Sequence, residues 1–184
     1  NSRPNGPELK VTTKVEAGEP TENICNLVDK NNVDLIIMTS VNASGMKVGK
    51  MLGSVTDHVC QTVPVPVMLI RTQNRQRTER AERLINRLLI PLDGSELSKL
   101  ALPIGEELAA KLEIAIILFQ MANIIRPFGD ISGAGSYIDY SKLNEDEKRR
   151  VGSEMVKLTE ELKVKGLIVN NIITNGSDAA NEII

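Results

Sequence analysis

The sequence has little of what several classes of protein require. Among its 184 residues there is no tryptophan and one histidine, and aromatic residues make up 2% of the chain. Single-stranded nucleic acid binds by stacking its bases on aromatic side chains, so this scarcity argues against a nucleic-acid partner. The formal charge of −2 gives no field that would attract nucleic acid or an anionic membrane. No apolar run reaches the ~20 residues of a membrane span, so we expect no membrane partner either.

The chain also lacks the motifs of common catalytic and metal sites. Cys25 and Cys60 stand apart among apolar neighbours and match no metal-ligand or redox spacing. There is no P-loop Gly-Lys-Ser/Thr and no nucleophile and base at an informative spacing, and His58 falls inside a predicted helix. The sequence therefore predicts a protein that is not an enzyme, for which slow ATP hydrolysis would be incidental. No signal peptide opens it, which predicts a cytoplasmic location.

Strands and helices alternate along the chain. Strands are predicted at 9–15 and 167–173, and apolar runs, typical of strands buried on both faces of a parallel sheet, lie at 33–40, 67–71, 87–92 and 114–121. Three apolar stripes have helical spacing. They are Val55, Val59 and Val63; Leu97, Ala101, Ile104, Leu108 and Leu112; and Val151, Met155, Leu158 and Leu162. Asn144 is the predicted capping residue of the helix that carries the last stripe. This alternation without hairpin signals favours an open parallel α/β sheet, in which ligands bind beyond the carboxyl ends of the strands.

A short repeat indicates how the chain is organised. The segments beginning at residues 7 and 165 align at a constant offset of 158 residues, and each has a strand pattern, a glycine and a helix start. We therefore expect residues 1–72 to be the second half of one unit, 73–85 a linker and 86–184 the first part of the next unit. Three arrangements remain open: a longer tandem protein, one circularly permuted domain, or two copies that exchange halves. A fully extended linker of this length reaches roughly 45 Å, and it would have to span about 30 Å for the two halves to pair within one chain.

Two segments carry a family resemblance. VDLIIMTS followed by GKMLGSVTDHVCQTVPVPVMLIR resembles the closing part of universal stress protein domains, and LLIPLDGSELSKLALPIGEELA resembles their opening part. The resemblance implies an adenine-nucleotide alpha hydrolase-like fold, with helices on both faces of a five-stranded parallel sheet in the order 3-2-1-4-5. It also implies a homodimer, since members of this family commonly dimerise through the last strand.

The resemblance points to a phosphate loop in the first half. Members that bind ATP carry Gly-x-x-Gly, nine residues, and then Gly-Ser or Gly-Thr. Gly53 and Ser54 match the final pair, and Val55 follows them at the start of the predicted helix. Amides at a helix N-terminus point at an anion and the hydroxyl adds a donor, so the match fits a phosphate. The alternative interpretation is that Ser54 simply caps a helix.

The upstream glycine pair of that loop is missing. Counting back from Gly53 places Ser40 and Ala43 at the two glycine positions, whereas counting from the expected strand end places Thr39 and Asn42 there. Glycine at these positions permits positive φ angles and a close approach of backbone amides to phosphate, and each replacement adds a Cβ. Neither alignment restores the pair.

The second half carries the residues that the resemblance assigns to a nucleoside. Asp93, with Pro91 on the preceding strand, matches an acidic residue near the nucleoside, and Met121 matches a position that packs on the base. The alternative for Asp93 is a turn aspartate before Gly-Ser, which is common in α/β proteins. In a tandem protein Asp93 and Ser54 would belong to different sites, and they share one only if the halves complement each other.

Two functions follow from the resemblance. The first is a stress-response module that binds ATP, with Mg²⁺ if the nucleotide is bound, as a conformational ligand and signals through a dimer. The second is a universal stress domain that binds no nucleotide and acts by dimerisation and contact with protein partners. The missing glycine pair favours the second function for residues 1–72.

Overall fold

The computed structural model describes residues 10–40, 53–71, 85–124, 139–176 and 179–183. The chain divides into two compact units, unit 1 from Asn1 to Thr78 and unit 2 from Glu79 to Ile184. Within the described segments, every helix is too short or too polar to span a membrane.

Unit 1 contains two helices and a two-stranded parallel sheet. Its elements are α1 (Pro20–Asn31), β1 (Ile36–Ser40), α2 (Ser54–Thr62) and β2 (Val67–Arg71). Helix α1 begins where the Glu19 carboxylate accepts a hydrogen bond from the Glu22 amide, and it ends at Asn32, whose φ of 49° is left-handed. The two strands pair in parallel with Ile36 opposite Val67, so their carboxyl ends lie at the same edge of the sheet.

Unit 2 contains a three-stranded parallel sheet in the order β3-β4-β5. Its elements are β3 (Arg87–Leu92), α3 (Ala101–Leu112), β4 (Ala115–Asn123), α4 (Tyr140–Val164), β5 (Val169–Gly176) and the short α5 (Ala179–Ile183), with a 3-10 turn at Ser98–Leu100 before α3. Gly166 follows α4 with a φ of 84°, a conformation that suits glycine and ends the helix as predicted.

The core of unit 2 lies between one face of this sheet and helices α3 and α4. Ile116 and Leu118 of β4 are fully buried against Val151, Met155 and Leu162 of α4. The stripe predicted for α4 is therefore confirmed. Its start was predicted wrongly, because Asp139 rather than Asn144 caps the helix by accepting a hydrogen bond from the Lys142 amide.

Two other sequence predictions fail, each for its own physical reason. Residues 10–15 form no strand, because within the described segments no neighbouring strand pairs with them, and Val15 is exposed. Helix α3 buries Leu102, Gly105 and Ala109 rather than the predicted stripe that begins at Leu97. Both sides of α3 are apolar, so spacing alone could not decide which side meets the sheet.

The five strands do not form the single sheet that the resemblance implies. The described strands make two sheets, β1-β2 and β3-β4-β5, and the order 3-2-1-4-5 is not confirmed. What the structure does have is an α/β fold in which every strand pair is parallel.

Among the described strands, the burial on both faces that the apolar runs predicted is complete in neither unit. In unit 1, Ile37 and Ile70 share one face of the sheet and are 59% and 47% exposed. In unit 2, Leu89 and Ile172 lie on the face opposite the core and are also exposed, while Leu97 and Leu100 before α3 are 76% and 66% exposed. Each unit therefore leaves an apolar sheet face partly uncovered.

Burial predicts how two adjacent residues of α4 respond to truncation. Met155→Ala removes a fully buried side chain and should lower the free energy of unfolding by about 2–5 kcal/mol. Val156→Ala on the same helix removes an exposed side chain and should change it by less than ~0.5 kcal/mol. Urea unfolding followed by circular dichroism measures both, and equal losses would contradict the assigned core.

Candidate functional site

The first group of predicted site residues lies where α2 begins. Gly53 is the cap residue, with a φ of 76° that suits glycine, and the first helical hydrogen bond runs from the Asp57 amide to the Gly53 carbonyl at 2.9 Å. The amides of Ser54 and Val55 precede this bond and so have no acceptor within the helix. Gly53 has no side chain with which to cap them. The interpretation of Ser54 as the cap residue is therefore wrong, since Ser54 is the first residue of the helix.

The residues expected upstream of Gly53 are only partly described. Ser40 is the last residue of β1, so it lies at the carboxyl edge of the unit 1 sheet, and Thr39 precedes it in the strand. Ala43 and Asn42 lie outside the described residues. Unit 1 thus has a strand that ends at Ser40 and a helix that starts after Gly53, with the connecting residues outside the description.

The second group lies at the carboxyl ends of the strands of unit 2. Asp93 follows β3 directly, and its Oδ1 accepts hydrogen bonds from the Ser95 amide at 2.9 Å and the Ser95 hydroxyl at 2.6 Å. Between them, Gly94 has a φ of 83°. The Ser98 hydroxyl in turn lies 3.4 Å from the Asp93 amide. The alternative interpretation of Asp93 as a turn residue is therefore correct in its geometry, and the turn fixes where the carboxylate sits.

These hydrogen bonds keep Asp93 ionised. The Ser95 hydroxyl, the Ser95 amide and the Ser98 hydroxyl lower the pKa of Asp93 from 3.8 to about 2. Because the pKa is depressed in the folded chain, this contribution to stability is present above about pH 4 and is lost as the pH falls toward 2. The side chain at the end of β3 is therefore a fixed negative charge at neutral pH.

Two further polar side chains reach the Asp93 turn. A methyl group at Gly94 would lie 3.0 Å from Nε2 of Gln120 and 3.9 Å from the guanidinium nitrogens of Arg150, so both groups lie close to the turn. Gln120 is buried near the end of β4, and Arg150 comes from α4. Sequence reasoning missed both. A lone polar residue at the end of the apolar run IAIILFQM was the available signal for Gln120.

An ion-pair network ties this turn to α4. Lys99 lies 2.8 Å from Glu96 and 2.9 Å from Glu154, and Glu154 also lies 3.4 Å from Arg150. The hydrogen bonds to Glu96 and Glu154 raise the pKa of Lys99, so it stays cationic. The side chains of this network are between partly and fully exposed, so its ion pairs add little stability. Their effect is to link the segment after Asp93 to the helix that supplies Arg150.

Met121 and two residues of β5, Thr174 and Gly176, lie at the same carboxyl edge of the unit 2 sheet as Asp93. Met121 pairs in register with Thr174, and a methyl group at Gly176 would lie 3.2 Å from its Sδ, so the thioether rests against the glycine backbone. Oγ1 of Thr174 is buried, and in the described part of the chain it has no hydrogen-bond partner. Such an orphaned hydroxyl is uncommon in native proteins and calls for an explanation.

Pro91 lies within β3 rather than in the site turn. It pairs in register with Phe119 of β4, two residues before Asp93. The structure thus brings Asp93 and Met121 to one edge of the unit 2 sheet, with Pro91 beneath them. Gly53, Ser54 and Val55 lie in unit 1.

A groove in unit 1 contains none of these residues. It has a volume of about 510 Å³ and is bordered by α1 and α2, with Glu19, Glu22, Cys25 and His58 among its lining residues. In the segments that the structure describes, no cluster of His, Cys, Asp and Glu is arranged to hold a metal ion. The groove is therefore a different surface from the candidate site.

Comparison with known proteins gives a family match for the first unit. Residues 1–71 match the universal stress protein family. No curated protein matches the chain. A solved protein from the universal stress protein family of Burkholderia pseudomallei has 18% identity and a TM-score of 0.40, covering 53% of this chain and 69% of its own. Universal stress protein UspA from Lactobacillus plantarum has 12% identity and a TM-score of 0.41, covering 53% and 65%.

The hydrogen bonds to Asp93 predict the effect of one hydroxyl. Ser95→Ala removes the strongest donor and leaves the amide, so the pKa of Asp93 should rise from about 2 toward 3.8. Carboxyl-carbon NMR titration measures this directly. Ser153→Ala is the control, because the Ser153 hydroxyl bonds to the Arg150 carbonyl on α4 instead. An unchanged Asp93 titration in Ser95→Ala would show that the Ser95 hydroxyl does not set the charge.

Proposed function

Since residues 1–71 match the universal stress protein family, we propose that this protein is a universal stress module that binds ATP with Mg²⁺ at the carboxyl ends of its parallel strands. The observation that carries the proposal is the start of α2, where Gly53 offers no capping side chain and the first helical amides have no acceptor within the helix. The proposal includes a cytoplasmic location and signalling through a dimer.

The phosphates are assigned to unit 1. Amides at a helix N-terminus carry partial positive charge and favour an anion, and the Ser54 hydroxyl adds a donor. The positive φ of Gly53 turns the chain into the helix without a Cβ beside the ligand. Gly53, Ser54 and Val55 would hold the terminal phosphates beyond the end of β1.

The nucleoside is assigned to unit 2. The Asp93 carboxylate is ionised and can accept hydrogen bonds from ribose hydroxyls. The Met121 thioether is a polarizable, apolar surface suited to the face of a base. The Thr174 hydroxyl, orphaned beside Met121, can exchange one hydrogen bond with the ligand. The residues proposed for the phosphates belong to unit 1, and those proposed for the nucleoside belong to unit 2.

ATP acts in this proposal as a ligand rather than as a substrate. The residues assigned to the nucleotide include a carboxylate, hydroxyls, amides and a thioether, but no pair arranged as nucleophile and base. The lone histidine, His58, lines the groove between α1 and α2 instead. Binding energy is then available to change the conformation or association of the protein.

A negative charge introduced at Ser54 should weaken phosphate binding without weakening the helix, so the two effects can be measured separately. Ser54→Asp places a carboxylate in the first turn of α2, where it suits the helix dipole and should leave the melting temperature unchanged or higher. The same carboxylate repels phosphate, so we expect at least about a tenfold loss of ATP affinity. Calorimetric titration with Mg-ATP and a thermal melt measure the two effects.

The matched control places the same charge elsewhere on the helix. Gln61→Glu adds one negative charge at the far end of α2, on an exposed side chain, and should leave ATP affinity within about twofold. Equal loss in both variants would contradict a phosphate site at Gly53. Absence of heat when wild-type protein is titrated with millimolar ATP would end the nucleotide proposal.

The orphaned hydroxyl of Thr174 gives an independent test on unit 2. Thr174→Val replaces a buried, unpartnered hydroxyl by a methyl group, so stability should stay level or rise by up to about 1 kcal/mol. If the hydroxyl bonds to the nucleotide, ATP affinity should fall by about fivefold to tenfold. Urea unfolding and calorimetry give both values, and an unaltered affinity would remove Thr174 from the site.

A further inference from the structure

The groove between α1 and α2 takes no part in the proposed nucleotide site, and it lies entirely within unit 1. Its volume of about 510 Å³ falls in the range of roughly 300–1,000 Å³ in which proteins bind small ligands. The first two turns of α1 and the second half of α2 line it, and every described lining residue carries a polar group or a thiol. The groove therefore has the size of a small-molecule site and the lining of a polar one.

Two carboxylates give the groove its charge. Glu19 and Glu22 are the charged residues among its described lining, which contains no lysine or arginine. The Glu22 amide donates to Oε2 of Glu19 at 2.8 Å, which fixes the position of that carboxylate at the start of α1. In the described part of the chain neither carboxylate is in an ion pair, whereas Glu16, just upstream, pairs with Lys14. The groove thus carries two negative charges that no described side chain neutralises.

A buried hydroxyl gives a second and independent indication of a ligand. Thr21 lines the groove and is only 5% exposed. Among the described residues its hydroxyl neither donates nor accepts a hydrogen bond, although most buried hydroxyls in proteins do one or the other. Unlike Oγ1 of Thr174, it is not fully enclosed, so a molecule in the groove can reach it.

The side chains from α2 add further acceptors. The Thr62 hydroxyl donates its proton to the His58 carbonyl at 2.8 Å, so its oxygen is left to accept. The neutral imidazole of His58 has one acceptor nitrogen, and the Asn26 amide contributes a carbonyl oxygen from α1. A ligand that matches these groups brings N–H donors and positive charge.

The arrangement of these groups favours an organic cation over a metal ion. Within the described residues, no three His, Cys, Asp or Glu side chains are grouped so that they could hold one metal ion. The acceptors are therefore spread along the groove, and a matching ligand carries its donors at separated positions. Ammonium groups joined by methylene segments meet this requirement, and the methylenes can lie against the half-buried Cys25 thiol, which behaves as a small apolar group.

We propose that this groove binds a linear polyamine, a small organic cation with several ammonium groups. Glu19 and Glu22 pair with its charges, and the hydroxyl of Thr21 and the acceptors of α2 receive its N–H groups. The inference does not rest on the proposed nucleotide site. Its tests omit nucleotide, because polyamines also pair with phosphates, so that failure of either proposal leaves the other standing.

An NMR titration with spermidine, a linear triamine, tests the site directly. We expect the backbone amides of Thr21, Glu22, Cys25 and His58 to shift with one common dissociation constant, because all four residues line the groove. The amide of Val156, on α4 of unit 2, should not move. An absence of saturable shifts in the groove at millimolar spermidine would overturn the proposal.

Removal of one charge tests the role of the carboxylates. Glu22→Gln keeps the amide that Glu19 caps and should weaken spermidine binding by about fivefold. Asp29→Asn is the matched control, since it removes the same charge from an exposed position about 10 Å further along α1, where salt screens it. Its affinity should stay within about twofold of wild type. Equal losses in the two variants would reduce the effect to net charge and overturn the site.

The buried hydroxyl distinguishes this groove from an acidic surface. Thr21→Val keeps the shape of the side chain and removes its hydroxyl, so the melting temperature should stay level or rise. Spermidine affinity should fall by about threefold to fivefold, because one hydrogen bond to the ligand is lost. An unchanged affinity in this variant would contradict the proposal.

Two other cations complete the test. Mg²⁺ should leave the groove amides in place, and an acetylated trilysine peptide, which carries the same number of ammonium groups as spermidine on a bulkier backbone, should bind more weakly. Equal shifts with Mg²⁺ would show charge screening alone, and tighter binding of the peptide would point to a protein partner. Either result would overturn the assignment to a polyamine.

Discussion

Parallel strands need cover on both faces and a partner at each edge, because their side chains are apolar on both faces and their unpaired backbone groups invite further strands. Each unit of this chain covers one face of its sheet with helices and leaves the other face partly exposed. In unit 2, α3 and α4 bury one face around Ile116 and Met155, and the opposite face remains open at Leu89.

The same constraint explains what could be predicted from sequence. Helices α2 and α4 and all five observed strands lie where the sequence patterns placed them, because each of those patterns has a neighbour in its own unit. The segment at 10–15 resembles that at β5 in sequence, yet only β5 is a strand, since β4 lies beside it. Strand formation depends on a partner that the local pattern does not contain. The buried side of α3 was mispredicted because both of its sides are apolar.

The candidate site was predictable to the level of residue type and position along the strands. The placement of Asp93 after β3 and of Gly53 before α2 could be read from turn and helix-start chemistry. Arg150 and Thr174 could not, because their proximity to the site arises from strand register and from the packing of α4. Their contribution depends on contacts between elements distant in sequence, which a single sequence does not report.

The turn that holds Asp93 has a consequence for what kind of signal this surface can register. A carboxylate with a pKa of about 2 keeps its full charge through any acidification that a living cell survives. Protonation of Asp93 therefore cannot serve as a signal of acidification. Under the proposed function, occupancy of this surface depends on how much of its ligand is present, so that the quantity it reports is a concentration.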